Sequence, residues 1–278
     1  MTPHFSGISI FFPMWNEAAS IRQAVAAAIE AGEGLEAAGE VGAFEVIIVN
    51  DASTDATGEI ADELSRADSR IVAVHHPKNR KLGGALKTGF HASRHELVLY
   101  SDADLPFDLA EVTKACRLLR IYAADIVSAY RHDRTSEGVR RAAYSFVYNW
   151  LLRFGFGIAL RDVNFAFKLC RRRIFEHVRL ASEGSFIDAE LLIRASRLGY
   201  KVIQFGVDYF PRWRGVSTLS SVSVIEKMVR EMAALYPELH AIRRLQPELL
   251  AIPVSAQSAD VASLFRVFPP PSARKPGA

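Results

Sequence analysis

Leu97-Val98-Leu99-Tyr100-Ser101-Asp102-Ala103-Asp104 joins an apolar run to two carboxylates separated by one small residue. A short continuous apolar run of this kind reads as a strand buried on both faces. In open α/β sheets, ligands bind just beyond the carboxyl ends of the strands. Unpartnered charges near a core are costly, so two acids placed there have few structural uses. A Mg²⁺ or Mn²⁺ ion bridged to a nucleotide diphosphate would use them, because such ions take one or two carboxylates plus phosphate oxygens. An isolated Asp-x-Asp reads equally well as a solvated turn. Here a second strand ends the same way, with Phe44-Glu45-Val46-Ile47-Ile48-Val49 running into Asn50-Asp51-Ala52-Ser53-Thr54-Asp55. Two acid-tipped strands in one chain imply a nucleotide-sugar site.

Outward from these strands the pattern alternates. A first strand is expected over Gly7–Pro13, stopped by proline, and an alanine-rich helix over Ala18–Ala31, opened by Asn16 and Glu17. Gly32–Gly42 reads as a loop. Helices are expected over Thr54–Ala67, with Asp55 flanking its start, over Ala85–Ser93 and over Leu109–Tyr122. Strands are expected over Arg70–His75 and Asp125–Ala129. Alternation over this length implies an α/β fold with a mostly parallel, doubly wound sheet. Beyond it, Asn164–Leu169 and Lys201–Val207 read as strands, Ile187–Leu198 and Val222–Leu235 as helices. The residues from Pro253 onward form an aperiodic tail expected to be disordered.

At 278 residues and 50% hydrophobic the chain is long enough to bury a large core. With 34 basic and 31 acidic side chains, global charge says little. The cations instead concentrate in a band from Arg131 to Arg173, which suggests an anionic partner such as a phosphate or a membrane surface. No recognised nucleic-acid module accompanies the band, so no nucleic-acid partner is expected. Cys116 and Cys170 make neither a disulfide framework nor a metal cluster and read as small buried hydrophobes. No Gly-x-Gly-x-x-Gly follows the first strand, which disfavours nicotinamide chemistry. Ile8–Pro13 is too short, and lacks the basic leader, for a signal peptide, so the cytoplasmic side is expected.

Seven segments in order, ISIFFPMWNE, VIIVNDASTD, NRKLGGALKTGF, YSDADLP, RDVNFAFKLCRR, FIDAELL and PRWRGVST, resemble the family 2 glycosyltransferases of GT-A fold. More narrowly they resemble the dolichyl- and polyprenyl-phosphate sugar synthases, over about residues 7 to 220. The resemblance implies a GT-A sheet with its nucleotide-sugar site at the strand carboxyl ends. It implies that Pro13, Asn16 and Glu17 line the nucleotide pocket and that Asp51 reaches the base or ribose. Ser53, Lys87 and Ser217 join that set, and Gly83 and Gly84 fit a loop whose backbone approaches a ligand closely. Asp102 would contact the nucleotide and share the metal with Asp104. Arg131 with Arg140 or Arg141 would hold an acceptor phosphate, and Arg212 and Arg214 would close over both phosphates as a mobile basic loop. Four positions depart from the family pattern: Pro106 where Gln is common, Asn50 where Asp is usual, Ala52 where Gly is usual, and Thr218 where Lys is common.

The activity so implied is inverting transfer of a hexose, of glucose or mannose type, from a UDP- or GDP-linked sugar to a polyprenyl phosphate, with Mg²⁺ or Mn²⁺. FKLCRR and SDADLP lean toward the glucosyl type. A lipid monophosphate, with a second pKa of about 6, is already largely dianionic at neutral pH and needs cations rather than a base. An alternative acceptor, a saccharide or lipid hydroxyl, would require a base, with Asp188 or Glu190 as candidates. Glu190 otherwise reads as the family's acid near the sugar. A second alternative is an inactive nucleotide-sugar binding protein. Residues 139 to 160 are aromatic and flanked by arginine but interrupted by Arg153, Gly155 and Gly157. They are expected as an interfacial helix rather than a membrane span, with a buried core helix as the rival. The expected organisation is a transferase domain over 1–220, amphipathic helices over 221–252 and the tail over 253–278. This describes a peripheral enzyme on the inner face of a membrane.

Overall fold

A computed structural model describes residues 2–132, 138–209 and 222–250, and for 138–146 and 222–225 the backbone alone. Seven strands form one sheet: β1 (Ile8–Met14), β2 (Phe44–Asn50), β3 (Ile71–His75), β4 (Leu97–Ser101), β5 (Ile126–Arg131), β6 (Phe167–Arg171) and β7 (Val202–Val207). Their order is β3-β2-β1-β4-β6-β5-β7. All neighbours run parallel except β6, which is antiparallel to both β4 and β5. Helices α1 (Ile21–Ala37), α2 (Thr57–Ala67), α3 (Lys81–Ala92), α4 (Glu111–Ile121), α5 (Gly138–Phe156), α6 (Ile187–Leu198), α7 (Val222–Ala241) and α8 (Pro247–Leu250) complete the elements. This is the mostly parallel α/β architecture read from the sequence.

The continuous apolar strands are explained by two cores, one on each face of the sheet. Ile8, Ile10 and Phe12 of β1, Val46 and Ile48 of β2, and Leu97 and Leu99 of β4 pack with α1 and α4. The intervening Phe11, Ile47, Val49, Val98 and Tyr100 pack with α3, α5, α6 and α7. Strand side chains alternate between faces, so a sheet covered on both sides needs apolar residues at every position.

Several boundaries differ from the sequence reading, each for a physical reason. Strand β1 runs through Pro13 to Met14, because β4 pairs it only as far as Phe11 and no ladder bond is asked of the proline nitrogen. Helix α1 continues to Ala37 and takes in Gly32, where a Cβ would collide with the Phe44 ring, so packing overrides a weak helix former. It opens at Ser20 rather than at Asn16. Helix α3 begins at Lys81 instead of Ala85. Strand β6 starts at Phe167, and α5 ends at Phe156, ahead of Gly157 with φ 74°. The expected disordered tail lies outside the described residues.

Candidate active site

The carboxyl ends of β1 to β4 share one edge of the sheet. Four non-glycine residues there have positive φ: Asn16 (57°), Ala52 (56°), Lys81 (59°) and Leu105 (45°). Such backbone costs free energy and persists where surrounding contacts enforce it, characteristically at functional edges. The enforcing contacts are visible. Asn16 N donates to Ser53 Oγ (3.0 Å) and Asn16 Oδ1 accepts from Thr54 N (2.8 Å), tying the β1 loop to the β2 loop. Glu17 N donates to Thr57 Oγ1 (2.8 Å), and the Glu17 carboxylate accepts from Ser20 Oγ (2.6 Å). Asp55 accepts from Ala18 N and Thr57 N; burial opposes its charged form, but these bonds outweigh that and hold its carboxyl below the usual range.

Asp51 is buried, and its Oδ1 is engaged by His76 Nδ1 (2.6 Å) and by Arg80 N (2.8 Å). Its partner His76, which no sequence pattern singled out, is fixed in turn by Thr88 Oγ1 (2.8 Å). Asp51 therefore organises the Arg80 turn with one oxygen. Gly83 and Gly84 require a correction. Both are buried in the first turn of α3, and a Cβ would strike the Ser182–Glu183 backbone from Gly83 and the Arg80 side chain from Gly84. Their smallness serves packing between protein segments. Lys87 likewise donates to Ala181 O (3.3 Å).

Strand β4 delivers Asp102 and Asp104 at the centre of the sheet. Asp102 O accepts from Leu105 N (3.3 Å), closing a turn that keeps both carboxylates at the edge. Both residues are half-buried, and the Asp104 carboxylate oxygens are closed off from bulk solvent. Pro106 is buried and adds no donor. Among the described residues no cluster of three or more His, Cys, Asp or Glu side chains could hold a metal alone. Two hard oxygen donors on a turn fit a divalent ion that completes its shell with phosphate and water, the usual manner of Mg²⁺.

The antiparallel β6 brings residues 162–166 to the same edge, since Phe167 pairs with Ser101. Arg131, the last residue of β5, lies there too. Its Nε and Nη2 meet Asp162 Oδ2 and Oδ1 at 2.6 and 2.7 Å, a bidentate pair almost closed to solvent, and its guanidinium lies 5.1 Å from the Tyr209 ring. Sequence reasoning missed Asp162, whose φ of 45° marks the turn that aims it. Arg131 opens onto a cleft of 530 Å³ also lined by His132, Trp150, Arg153, Ile158, Leu160 and Arg161, cationic and apolar at once. On the neighbouring face of α5, Val147, Trp150 and Phe154 are exposed, with the last two rings 4.6 Å apart. Among the described residues no helix is long and apolar enough to cross a membrane.

Asp188 and Glu190 lie inside the chain. Asp188 Oδ1 meets Lys168 Nζ (2.6 Å) and accepts from Tyr100 Oη (2.7 Å), and all three side chains are buried. Glu190, wholly buried, accepts from Ala181 N, Ser182 N and Arg194 Nε at 2.7–2.8 Å. Both carboxylates are engaged by the chain's own donors, an arrangement that suits a part in the frame. Both cysteines are buried, and burial pushes the Cys170 thiol up to about 12. The side chains of Arg140 and Arg141, and Arg212, Arg214 and Ser217 entirely, lie outside the described residues.

The chain resembles glycosyltransferase AglD of Haloferax volcanii, with 36% identity over 74% of this chain and 33% of that protein. It also resembles the polyprenol monophosphomannose synthase of Mycolicibacterium smegmatis, with 28% identity over 66% of this chain and 74% of that one. It thus spans about a third of the first relative's length and three quarters of the second's. Among solved structures, glucosyl-3-phosphoglycerate synthase of Mycobacterium tuberculosis, crystallised with Mn²⁺, UDP-glucose and phosphoglyceric acid, superposes with a TM-score of 0.58 at 18% identity, covering 84% of this chain and 80% of that one. That likeness places the sheet among GT-A folds. Residues 9–179, which hold every strand-tip loop from Asn16 to Asp162, match the model of glycosyl transferase family 2, and the chain belongs to that family.

Proposed function

We propose that this chain moves a hexose from a UDP- or GDP-linked sugar to a polyprenyl phosphate, with inversion, at the inner face of a membrane. The observation that supports it most is the pairing of two sites on one sheet edge: the Asp102–Asp104 turn on β4, and the Arg131 cleft two strands away. The relatives' names point to sugar transfer onto polyprenyl carriers, and the Mn²⁺ and UDP-glucose of the solved structure suit a diphosphate beside two carboxylates.

In this reading the loops of Asn16, Ser53 and Asp51 hold the nucleotide. Asp102 and Asp104 hold Mg²⁺ or Mn²⁺, which when bound would neutralise charge developing on the diphosphate leaving group. Asp162 orients Arg131, and Arg131, Arg153 and Arg161 together position the acceptor monophosphate. That nucleophile is already ionised, so the chain needs no base, in keeping with the burial of Asp188 and Glu190. Ile158, Leu160 and Trp150 offer the apolar wall for the first isoprene units. Val147, Trp150 and Phe154 would enter the lipid interface, with Arg153 toward anionic headgroups.

Product analysis by mass spectrometry tests the reading directly. UDP-glucose and GDP-mannose are each incubated with Mn²⁺ and either a short polyprenyl phosphate or the matching polyprenol. Glycosylated polyprenyl phosphate, with no product from the alcohol, is expected. Product from the alcohol alone would replace the phosphate acceptor by a hydroxyl one.

A further inference from the structure

Three buried polar atoms in one region lack a well-formed hydrogen bond: Tyr148 Oη on α5, which has only the Asn164 side chain beside it, Asn164 Oδ1 in the turn before β6, and Glu231 Oε2 on α7. Buried polar atoms are nearly always bonded in folded proteins, and each orphan asks for a reason. The three belong together. Tyr148, 8% exposed, lies within electrostatic reach of Asp188 and Glu231, with Asn164 beside its hydroxyl. Glu231 is held at one oxygen only, by Gly184 N at 3.0 Å, and a Cβ at Gly184 would foul that carboxylate. A glycine thus stands where it seats an acid whose second oxygen is left unbonded.

The position of the group narrows its use. Asp188 bonds to Tyr100, two residues before Asp102, and Asn164 follows the Asp162 that clamps Arg131. The orphans therefore neighbour residues tied to the end of β4 on one side and to the Arg131 pair on the other. Under the transferase reading, on which this inference rests, those sides belong to the leaving group and the acceptor. The chemistry narrows it further. Asn164 Oδ1 and Glu231 Oε2 only accept, and Tyr148 both donates and accepts. Such a set wants a ligand rich in hydroxyls and repels a phosphate, which only accepts and shares the sign of Glu231 and Asp188.

We infer that Tyr148, Asn164 and Glu231 form a pocket that reads the hydroxyl groups of the donor's sugar ring. Glu231, which lies beyond the segment shared with the family model, is the residue that sorts one sugar from another. A buried site built to bond a hydroxyl discriminates strongly against an analogue lacking it, because the site's own polar atoms are then stranded.

Tyr148→Phe and Glu231→Gln test this by calorimetric titration with Mn²⁺ and UDP, GDP, UDP-glucose or GDP-mannose. Both variants should bind the nucleoside diphosphates as the parent does and lose about tenfold against the sugar nucleotide the parent binds. A deoxy-sugar donor completes the cycle: the parent should lose affinity on removal of the hydroxyl that Glu231 reads, and Glu231→Gln should lose no more. Tyr148→Phe should melt close to the parent temperature, since the hydroxyl it removes has only the Asn164 side chain beside it. Variants that bind sugar nucleotides like the parent overturn the pocket alone. So does an equal loss of diphosphate and sugar nucleotide with lower melting, which marks a structural role. A parent that binds neither sugar nucleotide overturns the pocket together with the transferase reading.

Discussion

Two tripeptides of nearly the same composition have opposite fates in this fold. Asp102-Ala103-Asp104 and Asp188-Ala189-Glu190 each place two acids around an alanine. The first sits on a turn beyond a strand, at the edge where loops gather. The second sits in the first turn of α6, where Lys168, Tyr100, Arg194 and two backbone N–H groups occupy it completely. The residue types are almost interchangeable, and the chemistry open to them is not. What separates them is position: one pair lies half-buried on a turn at the ligand edge, the other lies inside the core on a helix. A wholly buried acid bonded from several sides is part of the frame, whereas an acid on a turn at the ligand edge can be reached by a cation from outside.

The difference can be broken by exchanging stability for turnover. Asp188→Asn leaves the buried Lys168 ammonium without its counter-charge, and loss of one partner of a buried pair costs about 3–5 kcal/mol. Urea unfolding should show it as a lower midpoint at constant slope. A midpoint within error of the parent would mean that Asp188 is not part of the frame. Asp104→Asn should do the reverse, leaving the midpoint in place while kcat at saturating Mn²⁺ falls by roughly a hundredfold to a thousandfold. Parental turnover in that variant would end the metal assignment.

The acceptor side sharpens the same point, because Arg131 stands between the two cases: paired within the chain, yet facing a cleft. Arg131→Ala should weaken use of polyprenyl phosphate by about tenfold to a hundredfold, the worth of one charge-assisted phosphate contact. Nucleotide-sugar binding, followed by titration, should be almost unchanged. A matching loss of nucleotide binding would place Arg131 on the donor side. The smallest effect concerns the strained edge itself. Ala52→Gly relieves a left-handed residue at φ 56° but loosens the unfolded chain, for a net gain of about 0.5–1 kcal/mol. If the urea midpoint falls instead, the loop of Ala52 is not strained.

Most of the frame was legible because its signals are local. β4 and α6 were read to the residue, since an apolar run ending in acids and a helical period need no distant partner to be recognised. Gly32–Gly42 was misread as loop because the Phe44 ring that makes Gly32 useful lies on another element. The same limit applies at the site. The Asp102–Asp104 turn was found from its own strand, whereas the neutralisation of Asp188 depends on a lysine from an antiparallel strand. The packing part of Gly83 was not legible because the Ser182–Glu183 backbone it accommodates is remote in sequence. Spacing shows which groups a chain owns, and topology decides which of them meet.

The reversed strand β6 also governs how the chain comes together. β1, β2, β3 and β4 are complete once Ser101 has been made, and β4 then already pairs with β1 along one side. Its other side stays bare until Phe167–Arg171 arrives, after α4, β5 and α5 have been synthesised. For that interval the nascent chain presents Leu97-Val98-Leu99-Tyr100-Ser101 as an open, largely apolar edge, the kind that pairs with a neighbouring copy when its own partner is late. Refolding yield should therefore fall steeply with protein concentration. A detached Phe167–Arg171 peptide, supplied in excess, would compete for the same edge and act as a folding inhibitor in trans.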